Sequence, residues 1–191
     1  MKYVWKDAAY YTSIYEKNPK YGSDRRSFVN YLIGLMQQYG TTSFFDFGCG
    51  LNHTVINDCR DIMPDVKYIG YDPAILDSQC TEVLYNYIPP GLNVDMLISS
   101  DCLEHVHEDE LTQVWNIFKS LNPQIMYHWI STRPAGQLLA DGTNAHKVVN
   151  SDYWWDTVFN TVFKMDYSVE NLTTEQSRQS SSAVFLLVRK A

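Results

Sequence analysis

Asp46, Gly48 and Gly50 stand in the run Phe44-Phe45-Asp46-Phe47-Gly48-Cys49-Gly50-Leu51-Asn52. A carboxylate followed by a Gly-x-Gly turn lets backbone N–H groups approach a polar ligand, because glycine has no Cβ in the way. Asp72 comes 22 residues after Gly50 and directly before Pro73. A carboxylate at that spacing can accept both hydroxyls of a ribose, and it can equally open a turn ahead of proline. A third group is Ser99-Ser100-Asp101-Cys102-Leu103-Glu104-His105-Val106. A fourth is the set Arg133, Asp141, Asn144 and His146, polar residues with no evident core role. His105 and His146 have the side chain suited to moving a proton near neutral pH, and Arg133 can stabilise charge. The bland reading of the last two groups is that His105 braces its loop and that hydrogen bonds hold the 133–146 loop.

The elements that must position these groups follow from the apolar pattern. Residues 1–22 carry Tyr3, Trp5, Tyr10, Tyr11, Tyr15 and Tyr21 at spacings of neither helix nor strand, which predicts an aromatic N-terminal flap lying over the domain. Some of these tyrosines can cover a ligand; the plainer role is packing on the core. A helix is expected from Ser23 as N-cap to Gly40, then a strand over 43–48, the glycine turn, and a helix over 54–63 stopped by Pro64. Strands are expected over 66–71, 81–85, 94–99 and 125–131, with a helix between the last two that begins at Glu108-Asp109-Glu110 and ends at Asn122-Pro123. Another helix starts near Ser151. A strand over 163–170, a flexible polar run over 173–182 and a strand over 183–188 finish the chain. Alternating strands and helices predict an α/β fold: a mostly parallel sheet with helices on both faces, closed by an antiparallel terminal hairpin. The expected organisation is a flap over 1–22 and one domain over 23–191.

Strand, Asp-x-Gly-x-Gly turn, helix and a second acidic strand end together point to an adenosine-type ligand. A nicotinamide enzyme normally requires G-x-G-x-x-G, and here the turn continues Leu51-Asn52-His53, without the last glycine. With the Leu103-Glu104-His105-Val106 segment added, residues 24–190 resemble the class I S-adenosylmethionine-dependent methyltransferases. That resemblance implies a Rossmann-like fold with a seven-stranded sheet. It also implies a transferase that uses S-adenosylmethionine, with S-adenosylhomocysteine as its product. In it, Asp46 orients the turn and the methionine amino group, and Gly48, Cys49 and Gly50 approach the carboxylate end. Asp72, with Pro73 after it, holds the ribose, while Ser100 and Asp101 line the pocket beside the sulfonium. Asn52 stands where many relatives have another glycine, so its side chain must point away or touch the ligand. The segments Ser131-Thr132-Arg133-Pro134-Ala135, Asp141-Gly142-x-Asn144-Ala145-His146 and Trp154-Trp155 are similar to small methyltransferase-like proteins common in phage genomes. That likeness implies a viral protein of the host cytoplasm.

Methyl transfer asks the protein to align an acceptor and exclude water. The catalytic candidates are therefore His146, His105 and Arg133, and the expected acceptor is a small molecule or modified nucleotide. Asp101, Glu104 and His105 are metal-ligand types, but the adjacent Glu104 and His105 would not easily converge, so no metal is expected. Duplex DNA is disfavoured as a partner. The place after the strand over 94–99 reads Ser100-Asp101-Cys102-Leu103, without the Pro-Pro-aromatic or Pro-Cys signatures of base methylation. The net charge of −7 likewise carries no basic stripe for phosphate. Two other readings stay open: a catalytically silent module that binds S-adenosylmethionine or S-adenosylhomocysteine, and an NAD-dependent oxidoreductase.

Composition sets the outer bounds. At 191 residues with 45% hydrophobic residues, the chain can bury a full core. The cysteines Cys49, Cys59, Cys80 and Cys102 form no C-x-x-C pair, which fits reduced thiols in a cytoplasmic protein. No apolar run is long enough for a leader or a membrane span. Monomer and homodimer are both open.

Overall fold

A computed structural model describes residues 2–21, 28–136 and 138–191. The seven strands form one mixed, mostly parallel sheet in the order β3-β2-β1-β4-β5-β7-β6. These are β1 (Ser43–Phe47), β2 (Lys67–Tyr71), β3 (Leu84–Tyr85), β4 (Met96–Ser100), β5 (Ile125–Ser131), β6 (Tyr167–Asn171) and β7 (Ser182–Arg189). The helices are α1 (Ala8–Lys17), α2 (Val29–Gln38), α3 (Thr54–Arg60), α4 (Leu111–Leu121), α5 (Asp152–Phe163) and α6 (Glu175–Gln179). The chain divides into two compact units, Met1–Leu97 and Ile98–Ala191.

In the first unit β2 runs parallel to both β1 and β3, with Asp46 opposite Gly70 and Phe47 opposite Tyr71. Phe44, Phe45 and Tyr71 are fully buried, as expected for strands covered on both faces. Asp95 fastens the start of β1: its Oδ2 accepts the Thr42 N–H, the Thr42 hydroxyl and the Ser43 N–H at 2.7–2.9 Å. The flap is the main departure from the sequence reading. Its middle is a ten-residue helix, α1, whose weak amphipathic pattern hid it. α1 and the residues just before it are held by tertiary contacts instead. The Trp5 indole N–H donates to the Tyr71 hydroxyl at 2.7 Å, and the Thr12 hydroxyl lies 2.7 Å from the Ala74 carbonyl. Ser23, the expected cap of the next helix, lies outside the described residues, and α2 is described from Val29.

In the second unit β7 lies antiparallel between β5 and β6, so β6 is the edge strand of the terminal hairpin. The expected strand over 163–170 begins later, at Tyr167. Phe163 instead completes α5, fully buried against Trp115 and Tyr167. The expected flexible run over 173–182 contains α6, capped by the Thr174 hydroxyl, which accepts the Ser177 N–H. Ser151 caps α5 as the sequence indicates, its side chain accepting the Trp154 N–H. At the core, the His128 ring is stacked between Phe118 and Phe159 at interplanar angles of 7° and 10°.

Candidate functional site

The glycine turn leaves β1 with Gly48 and Gly50 both at positive φ (79° and 66°), a conformation glycine adopts without strain. Its amides are directed at the neighbouring strand. The Gly48 and Cys49 N–H groups donate to the Tyr71 carbonyl at 2.7 and 3.2 Å, and the Gly50 N–H donates to Asp72 Oδ2 at 3.0 Å. The expected presentation of these N–H groups to a ligand is therefore not what the turn does here; they tie β1 to the end of β2. α3 follows after His53, itself left-handed at φ 36°, and is only seven residues long. A side chain at position 70 would collide with this arrangement. A Cβ on Gly70 would stand 2.8 Å from Cys49 Sγ and 3.0 Å from Ile56 Cδ1. The sequence reading passed over Gly70; a lone glycine inside a strand is the signal that could have found this close approach.

Asp72 is the hub of the first unit's site. Its Oδ1 accepts the Ala74 N–H at 2.9 Å, closing a turn across Pro73. Its Oδ2 accepts both the Gly50 N–H and the Tyr15 hydroxyl, each at 3.0 Å. Burial pushes the Asp72 carboxyl above its usual range, against the opposing pull of the bonds from Ala74, Tyr15 and Gly50. Tyr15 is buried with Ala74, Ile75 and Leu84, and Cys49 and Leu51 of the turn pack against that cluster. A Cβ added to Gly50 would lie 3.7 Å from the Tyr15 hydroxyl, so that hydroxyl sits just above the turn. Sequence reading missed Tyr15 as a partner of Asp72, because the two are 57 residues apart.

Asn52 takes the first of the two options open to it. Its amide donates to the Pro19 and Tyr21 carbonyls at 2.7 and 3.3 Å, pointing to the N-terminal segment. Asp46 is buried in β1. The Cys59 thiol is pushed up to about 12, by its burial first and then by the nearby Asp46 and Asp58 carboxylates.

The second unit carries the other candidates. Ser100 is buried at the end of β4. Asp101 follows in a left-handed conformation (φ 45°), its N–H donating to the Trp129 carbonyl at 2.9 Å. The next turn, Leu103–His105, brings Glu104 fully inside. Glu104 Oε1 accepts the Ser131 N–H at 2.9 Å, and its main-chain carbonyl accepts the Lys147 and Val148 N–H groups at 2.6 and 3.0 Å. The 133–148 loop is thereby docked onto Glu104.

Asn144 stiffens that loop. Its Nδ2 donates to the Ala135 carbonyl, and its Oδ1 accepts the Ala135 and His146 N–H groups, all at 2.9 Å. Asp141 accepts the Thr143 N–H and hydroxyl at 2.9 and 2.7 Å. Asp141 and Asn144 thus hold the loop, the bland reading of these two residues. His146 is brought beside His105, with ring centroids 4.6 Å apart and edge to face. Arg133 contributes its carbonyl, which accepts from His146 Nδ1 at 2.6 Å, while its side chain is exposed.

No protein-family model matches the chain, and no curated protein does. Solved structures match over nearly its whole length. The plantazolicin methyltransferase BpumL, in complex with a substrate analogue and SAH, superposes with a TM-score of 0.64 at 10% identity, over 97% of this chain and 95% of that one. The fold is that of the S-adenosylmethionine-dependent methyltransferases. The 1,6-didemethyltoxoflavin-N1-methyltransferase of Burkholderia thailandensis gives a TM-score of 0.64 at 10% identity, covering 96% of this chain and 87% of that one. The methyltransferase domain of a bacterial Hen1 protein gives 0.61 at 12% identity, covering 85% and 97%. At these identities the likeness is one of architecture, down to the antiparallel terminal hairpin.

Proposed function

We propose that the protein is an S-adenosylmethionine-dependent methyltransferase acting on a small molecule or modified nucleotide. The observation that carries this reading is the bonding at Asp72. A carboxylate at the end of β2 binds the Gly50 N–H of the turn and, on the same oxygen, a hydroxyl. The hydroxyl is that of Tyr15, and a ribose hydroxyl makes the same bond. The residues present therefore fit the cofactor's ribose, provided Tyr15 yields its place. A nicotinamide dinucleotide also carries ribose, but it is favoured less. The usual dinucleotide sheet has the order 3-2-1-4-5-6, whereas this sheet inserts the antiparallel β7 between β5 and β6.

Bound S-adenosylmethionine supplies an electrophilic methyl group on a sulfonium, which an acceptor lone pair takes by in-line displacement. The chain's own work is to hold and to shield. Asp72 orients the ribose, and Gly48 and Gly50 leave room for close approach. Ser100 and Asp101, at the end of β4, are proposed to line the cofactor pocket. His105, in the turn after β4, and His146, on a loop fixed by Asn144, are proposed to face the acceptor. The net charge of −7, with no basic stripe for phosphate, supports a small acceptor over duplex DNA. The likeness of the 131–155 segments to phage-encoded proteins supports a viral origin.

Titration calorimetry with S-adenosylhomocysteine and with NAD tests the cofactor reading. Binding of the former, severely weakened in Asp72→Ala, is expected; preference for NAD would overturn the assignment. Incubation with labelled S-adenosylmethionine and a metabolite extract then separates an enzyme from a silent binding module. A methylated product is expected, and tight binding without turnover would favour the module.

A further inference from the structure

We infer that Glu104, His105 and His146 form a binding site for a divalent first-row transition metal. One ligand atom from each of the three lies within 4.8 Å of the others. The expectation that Glu104 and His105 would not easily converge does not hold in this geometry. They sit in a single tight turn, and the third member arrives from a loop whose backbone is bonded to Glu104 itself. Around a bound ion, ligand atoms at about 2.0–2.2 Å from the metal stand roughly 3–3.5 Å apart. Small side-chain rotations close the site to that spacing.

The histidines are already arranged for ligation. His105 Nδ1 lies 3.1 Å from the Ala145 carbonyl, and His146 Nδ1 lies 2.6 Å from the Arg133 carbonyl. A carbonyl can only accept, so Nδ1 of each ring is the donor, and Nε2 is the nitrogen that would ligate a metal. Metal-bound histidines have this second bond as a rule, because it fixes the tautomer and the ring orientation. It is made twice here, by two residues of different segments. Glu104 adds a carboxylate fully removed from solvent, held by Ser131 through one oxygen. Burying a carboxylate is costly, and a cation beside it offsets that cost.

Two imidazoles and one carboxylate select the ion. Calcium and magnesium prefer all-oxygen shells, whereas Mn²⁺, Fe²⁺, Co²⁺ and Zn²⁺ accept nitrogen and oxygen together. Three protein ligands leave at least one coordination position open, the arrangement of a catalytic site and not of a closed structural one. That position takes an oxygen donor. Resting on the methyl-transfer reading, the ligand class is an acceptor hydroxyl, whose proton a bound metal makes easier to lose.

The test uses the full chain, freed of metal by chelation, titrated with Co²⁺ and then Zn²⁺ in the absence of cofactor and acceptor. One Co²⁺ per chain is expected, with the visible absorption of imidazole-bound cobalt, displaced by Zn²⁺. His146→Ala, at a half-exposed ring, is expected to stay folded by circular dichroism and to weaken metal binding at least tenfold, with His107→Ala unchanged. Glu104→Gln is expected to weaken it similarly. Should its buried site unfold, His146→Ala alone decides. Absence of stoichiometric binding by the wild type, or equal binding by folded His146→Ala, overturns the proposal. Because no cofactor is present, either outcome leaves the methyltransferase reading to its own test.

Discussion

Tyr15→Phe probes the meeting of α1 with Asp72. The substitution keeps the ring, which is 5% exposed, and removes only the hydroxyl that donates to Asp72 Oδ2 at 3.0 Å. A hydrogen bond onto a charged acceptor contributes about 1.5–3 kcal/mol, and the ligand-free protein is expected to lose up to that amount of stability. If a ribose hydroxyl takes the place of Tyr15, the same bond must be broken whenever cofactor binds. Deleting it in advance then tightens binding by up to about 10- to 150-fold, since ~1.4 kcal/mol is a factor of ten. Water entering beside Asp72 recovers part of the loss, so a gain of about threefold is the smallest outcome consistent with the argument. Calorimetry with S-adenosylhomocysteine gives the affinity, and urea unfolding gives the stability. Lower stability with unchanged or weaker affinity would refute the exchange and leave Tyr15 as a fixed part of the bound site.

Asp72→Ala is expected to weaken S-adenosylhomocysteine binding roughly ten- to a hundredfold by calorimetry. It also strips acceptors from the Gly50 and Ala74 N–H groups, so a fall in melting temperature accompanies it. Gly70→Ala drives a Cβ against Cys49 Sγ and Ile56 Cδ1 and is expected to cost about 1–3 kcal/mol in urea unfolding, with partial recovery in the Gly70→Ala/Cys49→Ala double variant. His128 is fully buried, and burial lowers its ring from 6.5 to about 3. The folded state thus binds a proton less readily than the unfolded one. Stability is present above about pH 6.5 and falls by roughly 1.4 kcal/mol for each unit of acidification below it, until about pH 3. His128→Phe, between Phe118 and Phe159, is expected to flatten the dependence of the urea midpoint between pH 7.5 and 5; an unchanged slope would assign the acid loss elsewhere.

Strand positions were legible wherever burial on both faces writes a continuous apolar run. Ile125–Ser131 is found over the expected residues, and β1 ends one residue early. Boundaries slipped where a side chain serves two neighbours. Phe163 reads as the start of a strand but closes the apolar face of α5. Thr81 belongs to a turn, its hydroxyl accepting the Val83 and Leu84 N–H groups, so only Leu84–Tyr85 pairs with β2. Local pattern also pointed to Asp46, Gly48, Gly50 and Asp72, because turn chemistry is a matter of near neighbours. The grip of Tyr15 on Asp72 and the meeting of Glu104 and His105 with His146 depend on separations of 57 and about 40 residues along the chain, which no local pattern encodes.

Asn144 imitates a strand: one side-chain amide pairs with both main-chain groups of Ala135 and with the His146 N–H. That economy ties the loop to a covalent group that ages. Hydrolysis of the amide, the ordinary slow chemistry of asparagine in water, turns Nδ2 from a donor into an oxygen facing the Ala135 carbonyl. Two acceptors then oppose each other at a distance set for a hydrogen bond, and the clasp on His146 loosens without any change of sequence. In an aged preparation that lesion is expected as a mass increase of about one dalton at Asn144, and the loop around His146, more than the sheet beneath it, is where its effect falls.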